Sequence, residues 1–473
     1  MSRPTIVWFR RDLRLADNPA LSAAASGGGP VVPVYVLEED AGAPLGRASR
    51  WWLRRSLEAL AADLARLGAP LVLRRGEPQA VVEALAAETG ADTVLWNRRW
   101  DPEGAARDRR IAAALEARGL RTGEHEATLL FEPAAVRTRS GGPFRVFGPF
   151  WRACHALPEP HAPLGAPAGL APLPHPVGSD RIADWNLEGA DFDEAWTPGE
   201  AAARERLADF LDGPVTRYPE DRDRPAVDGT SRLSPHLHWG EIGPRQVWHA
   251  SRWTADAHPE RAPGIDAFLR ELGWREFCQH QLHHAPDLCE KPLDTRFTAF
   301  PWREDPVVLA AWQQGRTGYP FIDAGMRQLL ETGWMHNRVR MVVASFLVKD
   351  LLLPWQTGEA WFREALLDAD PANNAANWQW VAGCGADAAP FFRVFNPVTQ
   401  GEKFDPMGGY VRHFVPELAD LPDVWIHKPW QAPPKVLEAA RVRLGTTYPQ
   451  PIVDHGLARQ RALVAFASIR STT

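Results

Sequence analysis

Hydrophobic and polar positions change rhythm twice along this chain. In the first ~130 residues, short β-branched runs alternate with Ala/Leu/Arg stretches of helical period. Thr5–Phe9, Val31–Leu37 and residues 71–73 and 93–96 are almost continuously apolar, as buried parallel strands are. Between them, residues near 50–67, 78–88 and 104–118 repeat apolar positions at helical spacing. This alternation predicts a doubly wound parallel sheet, with ligand space at the carboxyl ends of its strands. No GxGxxG follows the first strand, so a dinucleotide site is not predicted there. From 131 to 195 Pro, Gly and Ala dominate, and such composition predicts a surface connection without long helices. From 196 onward β-runs vanish and helical period takes over, with a last helix around 453–468. The chain thus reads as an α/β domain over 1–130, a long linker over 131–195 and an all-α domain over 196–473.

A length of 473 residues exceeds one compact core, which agrees with two domains. Apolar content of 45% and charged content of 24% are ordinary for a globular protein. The Met-Ser-Arg-Pro start lacks an apolar h-region and no apolar run approaches ~18 residues, so neither export nor membrane insertion is expected. Cys154, Cys278, Cys289 and Cys384 are scattered without CxxC pairing. That argues against a disulfide framework, a zinc site or an iron–sulfur cluster, and fits a reducing cytoplasm. A net charge of −6 argues against nonspecific coating of nucleic acid, yet leaves room for a local basic groove. The 21 tryptophans exceed what core packing needs. Part of them reads as core; the rest call for a function.

Four stretches carry candidate chemistry. In Thr230-Ser231-Arg232-Leu233-Ser234-Pro235-His236-Leu237, Ser234 and Pro235 form an N-cap and first-turn pair. Hydroxyls and free N–H groups at such a helix start suit an anion, and plain capping is the alternative. Within residues 268–277, Glu271, Trp274 and Arg275 fall on one helical face, where a solvated Glu271–Arg275 pair is the ordinary account. Gly333-Trp334-Met335-His336-Asn337-Arg338-Val339-Arg340-Met341 reads as a turn followed by a helix, with Asn337 and Met341 one turn apart. Asp368 and Asp370 flank one residue ahead of Asn373-Asn374 and Trp378-Gln379-Trp380, so both carboxylates can face one ligand. A metal would want a third ligand at helical spacing, and hydrolysis a nucleophile–base pair; neither accompanies them. Carboxylates, amides and indoles suit a flavin ring better, since acids and an amide read its hydrogen-bonding edge and indoles stack or carry electrons.

These stretches resemble the flavin pocket of the DNA photolyase/cryptochrome family. The resemblance runs from Trp8-Phe9-Arg10-Arg11-Asp12-Leu13-Arg14 to Tyr448-Pro449-Gln450-Pro451-Ile452-Val453. It is most like bacterial cyclobutane pyrimidine dimer photolyases of class I/class III type, and implies one FAD in the helical domain. By resemblance, Thr230, Ser231, Leu233 and Ser234 hold its diphosphate, while Tyr218 and Phe268 pack beside it. Many relatives carry Trp at the Phe268 position, and phenylalanine keeps the packing. Arg340 is implied to partner Asp368 or Asp350 near the ring, Asp368 and Asp370 to bind the N3/O4 edge and the adenosine side, and Asn374 to face N5. Plant cryptochromes usually have Asp at that last position and insect ones Cys. An amide offers no easily lost proton, which suits an enzyme that keeps FADH⁻ reduced.

On the DNA side the resemblance implies that Trp274 stacks on a flipped lesion and Glu271 hydrogen-bonds its pyrimidine edge. Such stacking is worth ~1–3 kcal/mol, enough to offset much of the cost of base extrusion. Asn337 is implied to lie between flavin and lesion, with Met341 and Trp380 lining the pocket. The (6-4) photolyases carry a second histidine where this chain has His336-Asn337, which implies dimers as substrate. Arg222, Arg275, Arg338, Arg393 and Lys403 match phosphate-binding positions, and Trp378, Trp355 and Trp302 match an electron-transfer triad. The loop 100–104 lacks the Asn-Glu pair of the enterobacterial folate site, and Glu290 replaces a lysine there. Residues 46–53 and Gly273-Trp274 look like the photolyase class nearest plant cryptochromes, which implies methenyltetrahydrofolate rather than deazaflavin as antenna, with Trp51 as stacking partner. The expected protein is a cytoplasmic monomer that repairs UV-damaged DNA with light. The alternative is a cryptochrome-type photoreceptor, against which Asn374, the Glu271/Trp274/Met341 set and the short end at Thr473 argue.

Overall fold

The computed structural model describes residues 2–38, 45–187, 189–388 and 392–470. Nearly every side chain of β1 (Thr5–Phe9) and β2 (Val31–Leu37) is buried, as their apolar runs require. With β3 (Val72–Arg75), β4 (Thr93–Asn97) and β5 (Arg121–His125) they form a five-stranded parallel sheet ordered β3-β2-β1-β4-β5. The order reverses between β1 and β4, which makes it the doubly wound sheet the pattern predicted. The edge strand β5 was not predicted. Its Arg-Thr-Gly-Glu-His has no apolar run, because an edge strand leaves much of itself in solvent. A Cβ on Gly123 would stand 2.5 Å from Leu95 Cδ2, so the leucine of the adjoining strand occupies that space.

The connecting helices are α1 (Pro19–Ser26), α2 (Arg47–Arg66), α3 (Pro78–Thr89) and α4 (Pro102–Ala117). Asn18, Glu77 and Asp101 cap three of them, each accepting a backbone N–H one turn on, with proline in the first turn. Among the described residues of 131–195, the only α-helix is the nine-residue α5 (Phe147–His155), in line with its Pro/Gly content. There follow α6 (Glu200–Asp212), the short α7 (Tyr218–Asp221), α8 (Ser234–Trp239), α9 (Pro244–Ala257) and α10 (Ala262–His284).

Two compact units emerge: Met1–Phe144, Gly148–Thr216 and Ser231–Pro286 form the first; Arg145–Phe147, Arg217–Thr230 and Asp287–Thr473 form the second. Helices α8 to α10 therefore pack with the sheet. Leu13 N–H donates to Trp239 O at 3.2 Å and Trp52 Nε1 to Glu241 at 3.1 Å. Gly240 sits at φ +72, and a Cβ there would stand 2.1 Å from Arg11 O. Helical period reports the type of an element, not the surface it packs on, so this grouping was not legible in the pattern.

The second unit contains α11 (Pro306–Gln313), α12 (Pro320–Thr332), α13 (Asn337–Ser345), α14 (Trp355–Ala365), α15 (Pro371–Ala382), α16 (Pro397–Phe404) and α17 (Gly409–Phe414). Two short helices, α18 (Asp423–Ile426) and α19 (Pro434–Ala439), precede α20 (His455–Arg470), the expected last helix. Its core includes Trp312, Phe321, Val339, Leu347, Trp355, Trp378 and Tyr448. Among the described residues, no helix is long and apolar enough to cross a membrane.

Candidate active site and nucleic-acid interface

In the second unit, Gly333 closes α12 at φ 64, and the next helix starts at Asn337 with His336 as its N-cap, Nδ1 accepting from Arg338 N–H at 3.2 Å. This is the turn-then-helix expected for 334–341. Arg340, one turn into α13, holds Asp368 with both terminal nitrogens at 3.1 and 2.8 Å, while its Nε donates to Met335 O at 2.7 Å. Two parallel bonds between guanidinium and carboxylate are the strong form of such a pair. Of the two acids the sequence left open for Arg340, Asp350 takes a different partner, His455 Nδ1 at 2.5 Å. Asp370 caps α15, its Oδ1 accepting from Asn373 N–H at 2.9 Å and Nδ2 at 2.8 Å.

Asn374 follows in the first turn of α15, and both protons of its amide are committed to Glu359. Nδ2 lies 3.0 Å from Glu359 O and 2.8 Å from Glu359 Oε1. Both partners are acceptors, so chemistry alone fixes the orientation of the amide and turns Oδ1 away as its acceptor end. Burial raises the carboxyl of Glu359, and an ion pair to Arg363 at 2.8 Å opposes that. Nothing in the sequence pointed to Glu359; it lies on α14 and meets Asn374 only through packing.

Trp378 is buried among Phe362, at a centroid distance of 5.0 Å, Trp312, at 6.2 Å, and Gly358. Trp355 opens α14 and is buried, and Trp302 is part-exposed with its ring 4.4 Å from that of Phe300. Trp378 and Trp355 are thus buried alike, and of the three only Trp302 reaches solvent. Trp380 donates its indole N–H to Asp387 O at 3.0 Å. Met341 is half-buried on α13. Four of the five expected phosphate ligands lie in this unit, and three of them sit over aromatic faces: Arg222 over Tyr218 at 5.4 Å, Arg338 over Phe404 at 4.4 Å and Arg393 over Phe395 at 4.6 Å. The fourth, Lys403, has its ammonium 5.0 Å from the ring of Phe404.

In the first unit α8 begins one residue earlier than the capping reading has it. Leu233 is the cap and Ser234 the first helical residue, because Leu233 already has helical backbone angles. Ser231 Oγ accepts from Leu233 N–H at 3.4 Å, and Arg232 sits in the left-handed region at φ 49. Thr230, at the end of the 217–230 segment, is half-buried. On α10, Arg275 turns to its neighbour Glu276 at 2.9 Å and to Thr128 O at 2.8 Å, so its guanidinium ties the helix to the loop after β5. Burial pushes Glu276 up to about 7, against the pull of Arg275 and of the Leu130 and Phe131 N–H groups. Glu271 and Trp274 share that helix, Trp274 edge-on to Phe277 at 5.8 Å, and Phe268 packs on Phe210 at 4.7 Å. Trp51 is buried, edge-on to Trp52 at 6.1 Å and to Phe192 at 5.4 Å.

The chain thus combines a doubly wound parallel sheet with a helical unit that carries the Arg340–Asp368 pair and the Asn374 amide. Residues 5–168 match the family described as DNA photolyase, and residues 268–468 match the FAD binding domain of DNA photolyase. The chain is 54% identical over 477 residues to the deoxyribodipyrimidine photo-lyase of Agrobacterium fabrum, covering 99% of both. It is 40% identical to cryptochrome-1 of Arabidopsis thaliana, across 97% of this chain and 69% of that one. The crystal structure of a bacterial class III photolyase from Agrobacterium tumefaciens superposes with a TM-score of 0.97 at 52% identity, covering 100% of this chain and 98% of the other. The chain belongs to the DNA photolyase/cryptochrome family.

Proposed function

We propose that this chain is a deoxyribodipyrimidine photo-lyase, repairing cyclobutane pyrimidine dimers in UV-damaged DNA by light-driven electron transfer from FADH⁻. The orientation of Asn374 carries the reading. With both amide protons on Glu359 it can only accept, and a reduced flavin has a donor N–H at N5 that the oxidised ring lacks. The donor set therefore fits the reduced cofactor. Bound reduced FAD supplies the electron on excitation and recovers it once the cyclobutane has split, so no net redox change results.

The protein's own share is to hold, orient and recharge. Thr230, Ser231, Leu233 and Ser234 are assigned to the diphosphate, Tyr218 and Phe268 to packing, and the Arg340–Asp368 pair with Asp370 to the polar edges of the cofactor. Glu271, Trp274, Asn337, Met341 and Trp380 receive the extruded lesion, and Arg222, Arg338, Arg393 and Lys403 hold backbone phosphate. Arg275, tied to Glu276 and Thr128, serves that surface by anchoring α10. Trp378, Trp355 and Trp302 return electrons to oxidised cofactor. We assign the antenna to residues 1–130, with methenyltetrahydrofolate as its chromophore, the linker to 131–195, and FAD and lesion binding to 196–473, a stretch whose α8 to α10 belong to the first compact unit. The protein acts as a cytoplasmic monomer.

The test is a repair assay under near-UV light with chemically reduced protein and two defined oligonucleotides, one holding a dimer and one a (6-4) product. Dimers are restored and (6-4) products stay intact, because Asn337 stands where (6-4) enzymes have a histidine able to donate a proton. Efficient (6-4) repair overturns the substrate assignment. Flavin-loaded protein that repairs neither lesion supports the photoreceptor reading instead.

A further inference from the structure

The charge of Arg338 already has a partner. Its Nη2 lies 2.7 Å from Asp223 Oδ2, the two side chains being 17% and 32% exposed. The ring of Phe404, at the end of α16, lies 4.4 Å from the guanidinium carbon and 5.0 Å from the ammonium of Lys403. Arg338 Nε is buried without a hydrogen-bond partner. Two cations thus share one aromatic ring, and a part-exposed carboxylate occupies one of them.

A carboxylate and a phosphodiester present the same face to a guanidinium: two anionic oxygens that only accept. We propose that Asp223 is an intramolecular stand-in for a DNA phosphate. It holds Arg338 in place while DNA is absent, and a backbone phosphate replaces it on binding. The proposal rests on the reading of Arg338 as a phosphate ligand, and adds a residue that controls how tightly that ligand binds. Two consequences follow from elementary electrostatics. The side chain of Arg338 is ordered before DNA arrives, which lowers the entropy lost on docking. The displaced carboxylate remains beside the phosphate as a like charge, which weakens binding to every sequence alike, since phosphates carry no sequence information. Lesion discrimination is left to the base contacts.

The experiment is a double-mutant cycle on Asp223→Asn and Arg338→Gln, with Glu220→Gln as a charge control in the same segment. Binding is titrated on an undamaged and a dimer-containing duplex over a range of salt. Asp223→Asn should bind both duplexes ~1.5- to 5-fold tighter, the size of a part-exposed ion pair released. In the Arg338→Gln background that gain should vanish, and Glu220→Gln should not reproduce it. Arg338→Gln alone should weaken binding and flatten the plot of log affinity against log salt by about 0.9. An equal gain from Asp223→Asn without Arg338, or from Glu220→Gln, means that Asp223 acts only as bulk charge and overturns the proposal. If Arg338→Gln weakens binding and Asp223→Asn changes nothing, the stand-in falls and the phosphate role of Arg338 survives. If Arg338→Gln changes neither affinity nor slope, the phosphate role falls and takes the stand-in with it.

Discussion

Trp378 can lie where it does because α14 has no side chain at Gly358. A Cβ there would stand 2.1 Å from Cη2 of the indole and 2.6 Å from Leu347 Cδ2. Gly358→Ala must therefore move the ring, and a misplacement of ~1 Å can cost ~10²-fold in a geometry-dependent step. Photoreduction of oxidised flavin should slow by about that factor in Gly358→Ala and stop in Trp378→Phe, while repair by chemically reduced protein stays near normal in both. Wild-type photoreduction in both variants removes Trp378 from the wire. Lys349 makes a second prediction. Its ammonium is buried over the ring of Phe392 at 4.5 Å, and burial lowers it from 10.5 to about 7. Between those values the unfolded chain holds a proton that the folded one has lost, so stability rises with pH, by up to ~1.4 kcal/mol per pH unit. Lys349→Met should flatten that rise in denaturation midpoints taken in steps above about pH 7. An unchanged slope assigns the titration to another group.

Caps and prolines place α1, α3, α4 and α15, and all of these residues are visible in the chain. The partners of a helix are less visible. Nothing local says that Gly273 leaves room for Trp151, whose Cε3 would lie 2.6 Å from an added Cβ, or that Arg275 turns to Glu276. On α10 the next residue, Trp274, yields the prediction of this scale. Trp274→Ala should cost ~1–3 kcal/mol of affinity for dimer-containing DNA through lost stacking. Affinity for undamaged duplex should change much less, and flavin content not at all, since the phosphate and cofactor residues are untouched. Gel-shift titrations at one salt concentration decide it. An equal loss on both duplexes, or loss of flavin on purification, makes Trp274 a packing residue.

For the whole molecule, a net charge of −6 means that the proposed DNA binding rests on local cations such as Arg338 over Phe404 and Arg393 over Phe395 rather than on overall charge. The choice of lesion, tested by the two-oligonucleotide assay, also belongs to this scale, since it needs cofactor, pocket and phosphate contacts together. The sequence by itself determined the alternation that makes a doubly wound sheet, the helical character beyond 196, the capping residues of α1, α3, α4 and α15, and the set of residue types that suit a flavin. These are signals of period and composition, carried by neighbours in the chain. Tertiary structure alone decided that α8 to α10 pack with the sheet, that β5 extends it, that Arg340 takes Asp368, and that Glu359 turns the amide of Asn374. It also brought Asp223 to Arg338 across 115 residues of chain. The reason is physical: a hydrogen bond, an ion pair or a steric limit acts through space over a few ångströms. Residues far apart in the chain come within that reach only when the apolar surfaces between them are buried.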